Sequence, residues 1–436
     1  MKAACEEKKI GIDTFLTDTP GIGGKIKIKT EDFIVKERPD FPKREKNGRY
    51  TIVEITEKAW ETNQLVKSLS NETHISRKRI KFAGTKDKKA KTIRFFSFQD
   101  VEPEQIEKIS LKNVEIKKIF SSNRPLRIGD LKGNYFEITI RKIDEKIKKE
   151  IVGETTESIK KNGGFPNYFG IQRFGKMRTN THKVGRYLIQ GNLKKAVMAY
   201  LGDPNDKEPE EIYKIREEIE KKHNFKQALK KLPNYLYFEK AILNKLAVNP
   251  EGYKQALEQL PKNLLTMFVY AYQSFLFNKI VSERIKKNIP LNKAVPGDII
   301  HPIRKNKIKN KNIFVTSDNV DKVNIQIRKK KAVVTGLLLG TESVYAKGLM
   351  GEIEKKVINQ ENIKKRDFII PEIPYLSSKG LRRPVIAFVK NLSYKIGKDE
   401  LNRNKKKLGL KFGLDKGTYA TSLLREYMKS TDISNY

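Results

Sequence analysis

Apolar residues alternate with lysines along GKIKIKTEDFIVKE, residues 24–37, where Ile26 and Ile28 fall between Lys25, Lys27 and Lys29. A period of two predicts a half-buried strand with one apolar face and one lysine face. RYTIVEITEK, TIRFFSF and NYFEITIRKI predict further strands, and NQLVKSLSNE a helix after Thr62. From 205 to 262 the pattern changes: EPEEIYKIREEIEKKHN and the residues after it are charged, turn-poor and helical, leading into the apolar helix NLLTMFVYAYQSFLFNKIV. Short strands return in NIFVTSD, KAVVTGLLLG and RRPVIAFVK. The chain closes on KFGLDKGTYATSLLREYMK, read as a strand, a glycine turn and a helix opening near Thr418. Interleaved strands and helices predict a mixed α/β core with a separate helical lobe. With no internal repeat or low-complexity linker, the second domain is expected to be inserted into the first.

The 436 residues suffice for two or three domains and a sizeable core. Lys and Arg number 91 against 52 Asp and Glu, a net charge of +39, while 38% of residues are hydrophobic, so the basic excess belongs to the surface of a folded protein. Such a field attracts polyanions. Nucleic acid fits better than membrane, because no apolar run approaches the roughly 18 residues that cross a bilayer. The N-terminus MKAACEEKK lacks the apolar stretch of a signal peptide. A single cysteine, Cys5, and four scattered histidines exclude an internal disulfide and offer no metal-ligand spacing, which points to a reducing cytosol. Lys, Ile and Glu richness resembles proteins of hot habitats, a pattern that genome bias also produces.

GIGGK, residues 21–25, lacks the phosphate-loop pattern, since Thr19 stands at the first glycine and Ile26 at the Ser/Thr position; it is read as a turn. Neither a zinc deaminase signature nor a dinucleotide-binding glycine pattern is present. PNYFGIQRFG, residues 166–175, sets Tyr168, Phe169 and Phe174 among glycines beside Arg173, with Asn167 and Gln172 as amides. Stacking rings and amides are what an extruded base requires, and a glycine-flexed loop with core phenylalanines has the same composition. In AYQSFLFN the helical spacing indicates core, and only Gln273 and Asn278 suggest function. Asp87 is the one acid in KFAGTKDKKAKTIR. Either it shapes a turn, or it is a nucleophile or acid/base kept ionised by Lys86, Lys88 and Lys89, which also draw an RNA backbone alongside.

AGTKDKKAKT, PNYFGIQRFG, GLRRPV and KGTYATSLLRE, in that order, resemble the TruD family of pseudouridine synthases, and the likeness runs from TEDFIVKE to LLREYMK. The resemblance implies a mixed α/β pseudouridine synthase core split by an inserted, largely helical domain, with the core at 1–195 and 386–436, the insertion at 196–385 and an RNA cleft between them. It implies that Asp87 is the catalytic aspartate and Lys27 the active-site lysine, on a strand face shared with Lys25 and Lys29. Phe169 and Asn167 then stack on and hydrogen-bond the target uracil, with Lys86, Arg173 and Gln172 as further substrate contacts. The expected protein is a cytoplasmic, monomeric tRNA pseudouridine synthase acting at the position-13 uridine, with no cofactor, metal or membrane partner. A non-catalytic RNA-binding or RNA-folding protein is the alternative that the charge and the aromatic loop equally permit.

Overall fold

A mixed eight-stranded sheet organises residues 19–165, 387–430 and 435–436, one of two compact units in a computed structural model that describes residues 3–86, 88–175, 177–305 and 307–436. Its strands are β1 (Phe33–Pro39), β2 (Tyr50–Lys58), β3 (Ile80–Phe82), β4 (Lys91–Gln99), β5 (Val114–Ser122), β6 (Leu131–Asp144), β7 (Val389–Lys398) and β8 (Lys405–Asp415). They lie in the order β7-β8-β6-β1-β4-β2-β5, with β3 alongside β4. β1 and β4 run parallel and the other neighbours antiparallel. The helix Thr62–Glu72 covers one face, where Leu65, Val66 and Leu69 meet Val53, Ile55, Phe96 and Phe98. The mixed α/β class expected from the chain is the one found.

Of the strand expected over 24–37, only the part from Phe33 onward forms. Gly24 has φ +87° and lies so close to β6 that a Cβ there would stand 2.7 Å from the Arg141 carbonyl oxygen. Lys25 makes a lone antiparallel bridge to Arg141, Lys27 turns left-handed at φ 57°, and Thr30–Asp32 form a short 3-10 turn before β1. Polar anchors override the alternation: the Asp32 carboxylate accepts from the Lys29 backbone N–H (2.8 Å) and from Arg141 Nε (2.7 Å). Ile26 is buried, whereas Ile28 is 36% exposed, which a continuous strand face would not allow.

The other unit takes in the chain up to Asp18, 166–386 and 431–434. The region from 205 to 262 is helical as read, in Glu210–Lys222, Phe225–Lys231, Tyr237–Val248 and Tyr253–Leu257. The Lys262–Lys286 helix is buried around most of its girth and packs on the helix Thr181–Ile189, where Gly185 leaves room for the Phe268 carbonyl. A small antiparallel sheet joins Ile313–Phe314, Ile299–Arg304, Ala332–Leu338 and Leu381–Pro384. NIFVTSD keeps only Ile313–Phe314 as strand, because the Asn319 side chain bonds Thr316 N–H and the Phe314 carbonyl and opens the helix Val320–Arg328. The expected insertion, 196–385, lies inside this unit, whose chain enters at 166 and leaves at 386.

Candidate active site

Alternation along β1 puts Phe33, Val35 and Glu37 on one face of the sheet, and Glu37 pairs across to Asn134 of β6. Lys86 reaches both partners: its Nζ lies 2.7 Å from a Glu37 carboxylate oxygen and donates to Asn134 Oδ1 at 3.2 Å. With its side chain only 10% exposed, Lys86 is turned inward, to the sheet. The second Glu37 oxygen accepts from the Phe95 backbone N–H at 3.2 Å, so that carboxylate joins β1, β4 and the loop after β3.

Arg94 on β4 forms a second buried ion pair, 3.0 Å from Glu57 of β2. Its other terminal nitrogen donates to Thr62 Oγ1 (3.0 Å) and to the Gly84 carbonyl (3.5 Å). Thr62 Oγ1 also accepts the Lys86 backbone N–H at 3.2 Å. Burial pushes the Glu57 carboxyl up, and Arg94 opposes that shift. Two interior ion pairs therefore grip the loop at Gly84 and Lys86. Asp87, the next residue and the expected catalytic aspartate, lies outside the described residues.

Lys27, in the same unit, is half-buried with its Nζ 4.3 Å above the Phe33 ring. The segment that carries it is held by Arg141, whose guanidinium meets Asp32 (2.7 Å), Asp399 (2.9 Å) and Glu400 (3.0 Å). Burial raises the Asp399 carboxyl, but the backbone N–H groups of Lys142 and Leu401, with Asn402 and Arg141, hold it below its ordinary value. Hydrogen bonds from Arg141 and then Lys407 hold the Glu400 carboxyl below its ordinary value as well.

In the other unit the aromatic loop is well packed. Tyr168 and Phe174 are wholly buried, and Phe169 is 7% exposed, edge-on to Phe277 at 5.6 Å. Arg173 lies 5.5 Å from the Phe169 ring centre and Arg383 4.1 Å. The Asn167 amide is oriented by its neighbours: Nδ2 donates to the Pro384 carbonyl (2.9 Å) and Oδ1 accepts from Arg383 (2.7 Å). Gln172 is exposed. Among the described residues no group of His, Cys, Asp and Glu could hold a metal ion, and no helix is long and apolar enough to cross a membrane.

A family model described as tRNA pseudouridine synthase D (TruD) matches residues 9–427. The chain belongs to the TruD family, whose members isomerise uridine to pseudouridine in tRNA. A TruD relative from Methanococcoides burtonii, named a probable tRNA pseudouridine synthase D, is 44% identical over 431 residues, 97% of each chain. One from Pyrococcus abyssi is 36% identical over 418 residues, 95% of this chain and 98% of that one. The crystal structure of a TruD protein from Methanosarcina mazei superposes with a TM-score of 0.88 at 42% identity, covering 97% of both chains.

Sequence reasoning passed over Arg94, Glu57, Glu37 and Arg383. A buried charge in a strand leaves one local trace, a single charged residue in an otherwise uncharged, mostly apolar run, as Arg94 is in TIRFFSF. Asn278, which it did single out, accepts the Phe169 N–H (2.9 Å) and donates to the Phe169 carbonyl (3.1 Å).

Proposed function

We propose that this TruD protein isomerises the position-13 uridine of tRNA, with Asp87 as the reacting carboxylate. The observation that carries this reading is the buried double ion pair that anchors Gly84 and Lys86, immediately before Asp87. A turn residue on a solvated loop needs no such foundation. A group that must meet one carbon of one base does, because misplacement by an ångström costs orders of magnitude in rate. The carboxylate attacks the uracil ring or assists departure of the base from the sugar; the base turns, and carbon 5 bonds to the ribose carbon in place of nitrogen. The proton on carbon 5 is lost to solvent, and the nitrogen freed from the ribose takes one up. Lys27 serves as the counter-charge of the reacting carboxylate, Phe169 stacks on the base, and Asn167 bonds its edge. Gln172 and Arg173 contact the flanking nucleotides. Lys86 serves through the loop it holds. Residues 196–385 form the inserted domain and recognise the shape of the tRNA. The protein acts as a cytoplasmic monomer without a cofactor.

Asp87→Asn tests the assignment. Asparagine keeps the size and turn propensity of aspartate but is far less nucleophilic. Release of tritium from 5-labelled uridine in tRNA should fall to background while the melting temperature and tRNA affinity hold. Near-normal release overturns the catalytic role.

A further inference from the structure

Two adjacent arginines of GLRRPV face opposite ways along the strand Leu381–Pro384. Arg382 is buried in an ion pair with Glu354 at 2.6 Å and bonds Thr335. Arg383 points instead to the aromatic loop, with its guanidinium carbon 4.1 Å over the Phe169 ring centre and 5.6 Å from that of Phe277. Its Nη2 donates to Asn167 Oδ1 at 2.7 Å. Opposite it in the strand pairing stands Gly336, where a Cβ would come within 3.2 Å of Phe277, so the glycine lets that ring sit behind Phe169.

A planar group on the face of Phe169 that donates N–H to Asn167 Oδ1 makes the two contacts assigned above to the target base. Uracil is planar too, and its N3–H is a donor. One N–H of Asn167 Nδ2 is taken by the Pro384 carbonyl, and Oδ1 is the atom turned to Arg383; that acceptor suits the N3–H of uracil, where cytosine has an N3 acceptor. Phe169, 7% exposed, has no uncovered face for a base. Of the groups around it, Arg383 and Arg173 are long, half-buried side chains, and Arg383, nearer at 4.1 Å against 5.5 Å, also donates to Asn167, whereas Phe277 belongs to the buried Lys262–Lys286 helix.

We propose that Arg383 is a place-holder for the target uracil: its guanidinium occupies the base subsite until RNA enters, then withdraws and surrenders the Phe169 face and the Asn167 oxygen. The inference rests on the reading of Phe169 and Asn167 as the uracil contacts. Occupation by an arginine keeps the apolar ring and the amide from lying open, and makes entry an exchange of like for like. Bases unable to donate to Asn167 lose that exchange.

Free uridine, which carries no phosphate, separates base-site occupancy from backbone attraction. Its inhibition of tritium release from tRNA is measured for the full-length wild type, Arg383→Ala and Arg383→Lys, with melting temperatures alongside. The inhibition constant is expected to fall fivefold or more in Arg383→Ala and at least twofold in Arg383→Lys, which keeps the charge but lacks the planar fork. Should Arg383→Ala fail to fold, the lysine variant decides. An inhibition constant equal to or above that of the wild type overturns the proposal. Phe169→Ala and Asn167→Ala guard the premise. If both retain wild-type turnover and uridine inhibition, the uracil contacts lie elsewhere; if they lose them while the Arg383 variants gain nothing, only the place-holder fails.

Discussion

Asn278 holds the backbone of Phe169 from both sides, accepting its N–H at 2.9 Å and donating to its carbonyl at 3.1 Å, across 109 residues of chain. The same amide nitrogen donates to the Ile10 carbonyl at 3.0 Å, so one wholly buried side chain satisfies three backbone groups. Asn278→Ala leaves those groups buried without it, at about 1–3 kcal/mol each where no water replaces the bond. Urea unfolding should show a loss of about 3 kcal/mol or more, and tRNA turnover should fall further than tRNA affinity, because Phe169 is no longer fixed. An unchanged midpoint and rate would remove Asn278 from the positioning of the loop.

The Arg94–Glu57 pair offers a separation of stability from turnover. Arg94→Met strands the Glu57 carboxylate in the interior, a change worth about 3–5 kcal/mol. Combining it with Glu57→Leu replaces the pair by apolar groups and should recover most of that stability. Turnover should stay low in the double variant, since Gly84 and Thr62 have still lost their donor. Recovery of both together in unfolding and tritium-release assays would show that the pair is ballast for the sheet and does not locate the loop.

Burial of His182 should make the fold sensitive to acid. It stacks on Phe275 with ring centres 4.9 Å apart and meets Phe174 edge-on at 5.5 Å. Burial pushes its imidazole down to about 3 from an ordinary 6.5. The unfolded chain therefore binds a proton that the folded one refuses, and stability contributed by this residue is present above the ordinary value and lost as pH falls toward the folded one. The slope is about 1.4 kcal/mol per pH unit within that window. His182→Phe keeps the ring packing and should flatten the dependence of the urea midpoint on pH below 6.5; an equally steep dependence in the variant would assign it to other groups.

Affinity for tRNA should fall steeply with salt, because the charge of +39 works through phosphate contacts and counterion release. Lys222, Lys226 and Lys230 lie, all exposed, on neighbouring helical segments of the 205–262 region. Reversing all three to glutamate should weaken tRNA binding and reduce the slope of log affinity against log salt, with little effect on the rate at saturating tRNA. A slope identical to the wild type would take this face out of the RNA contact surface.

What the chain determined by itself was local. Tyr50–Lys58, Lys91–Gln99 and Leu131–Asp144 are strands and Thr62–Glu72 a helix because of apolar patterns written within a dozen residues or so, and Lys262–Lys286 is a helix whose apolar run is too long for a strand. The same rule misleads at Ile26 and Ile28, where the pattern of a strand loses to the Asp32 carboxylate and its bonds to Lys29 and to Arg141, a residue more than a hundred positions on. Asp87, Phe169 and Asn167 stand out as residue types in their motifs, but nothing near them in the chain says what holds them. Only the tertiary structure brings Arg94 to Gly84, Asn278 to Phe169 and Arg383 to Asn167. The physical reason is that periodicity reports how much of an element is buried, whereas a buried charge or amide is satisfied by whichever partner the fold delivers, and that partner leaves no mark on the local pattern.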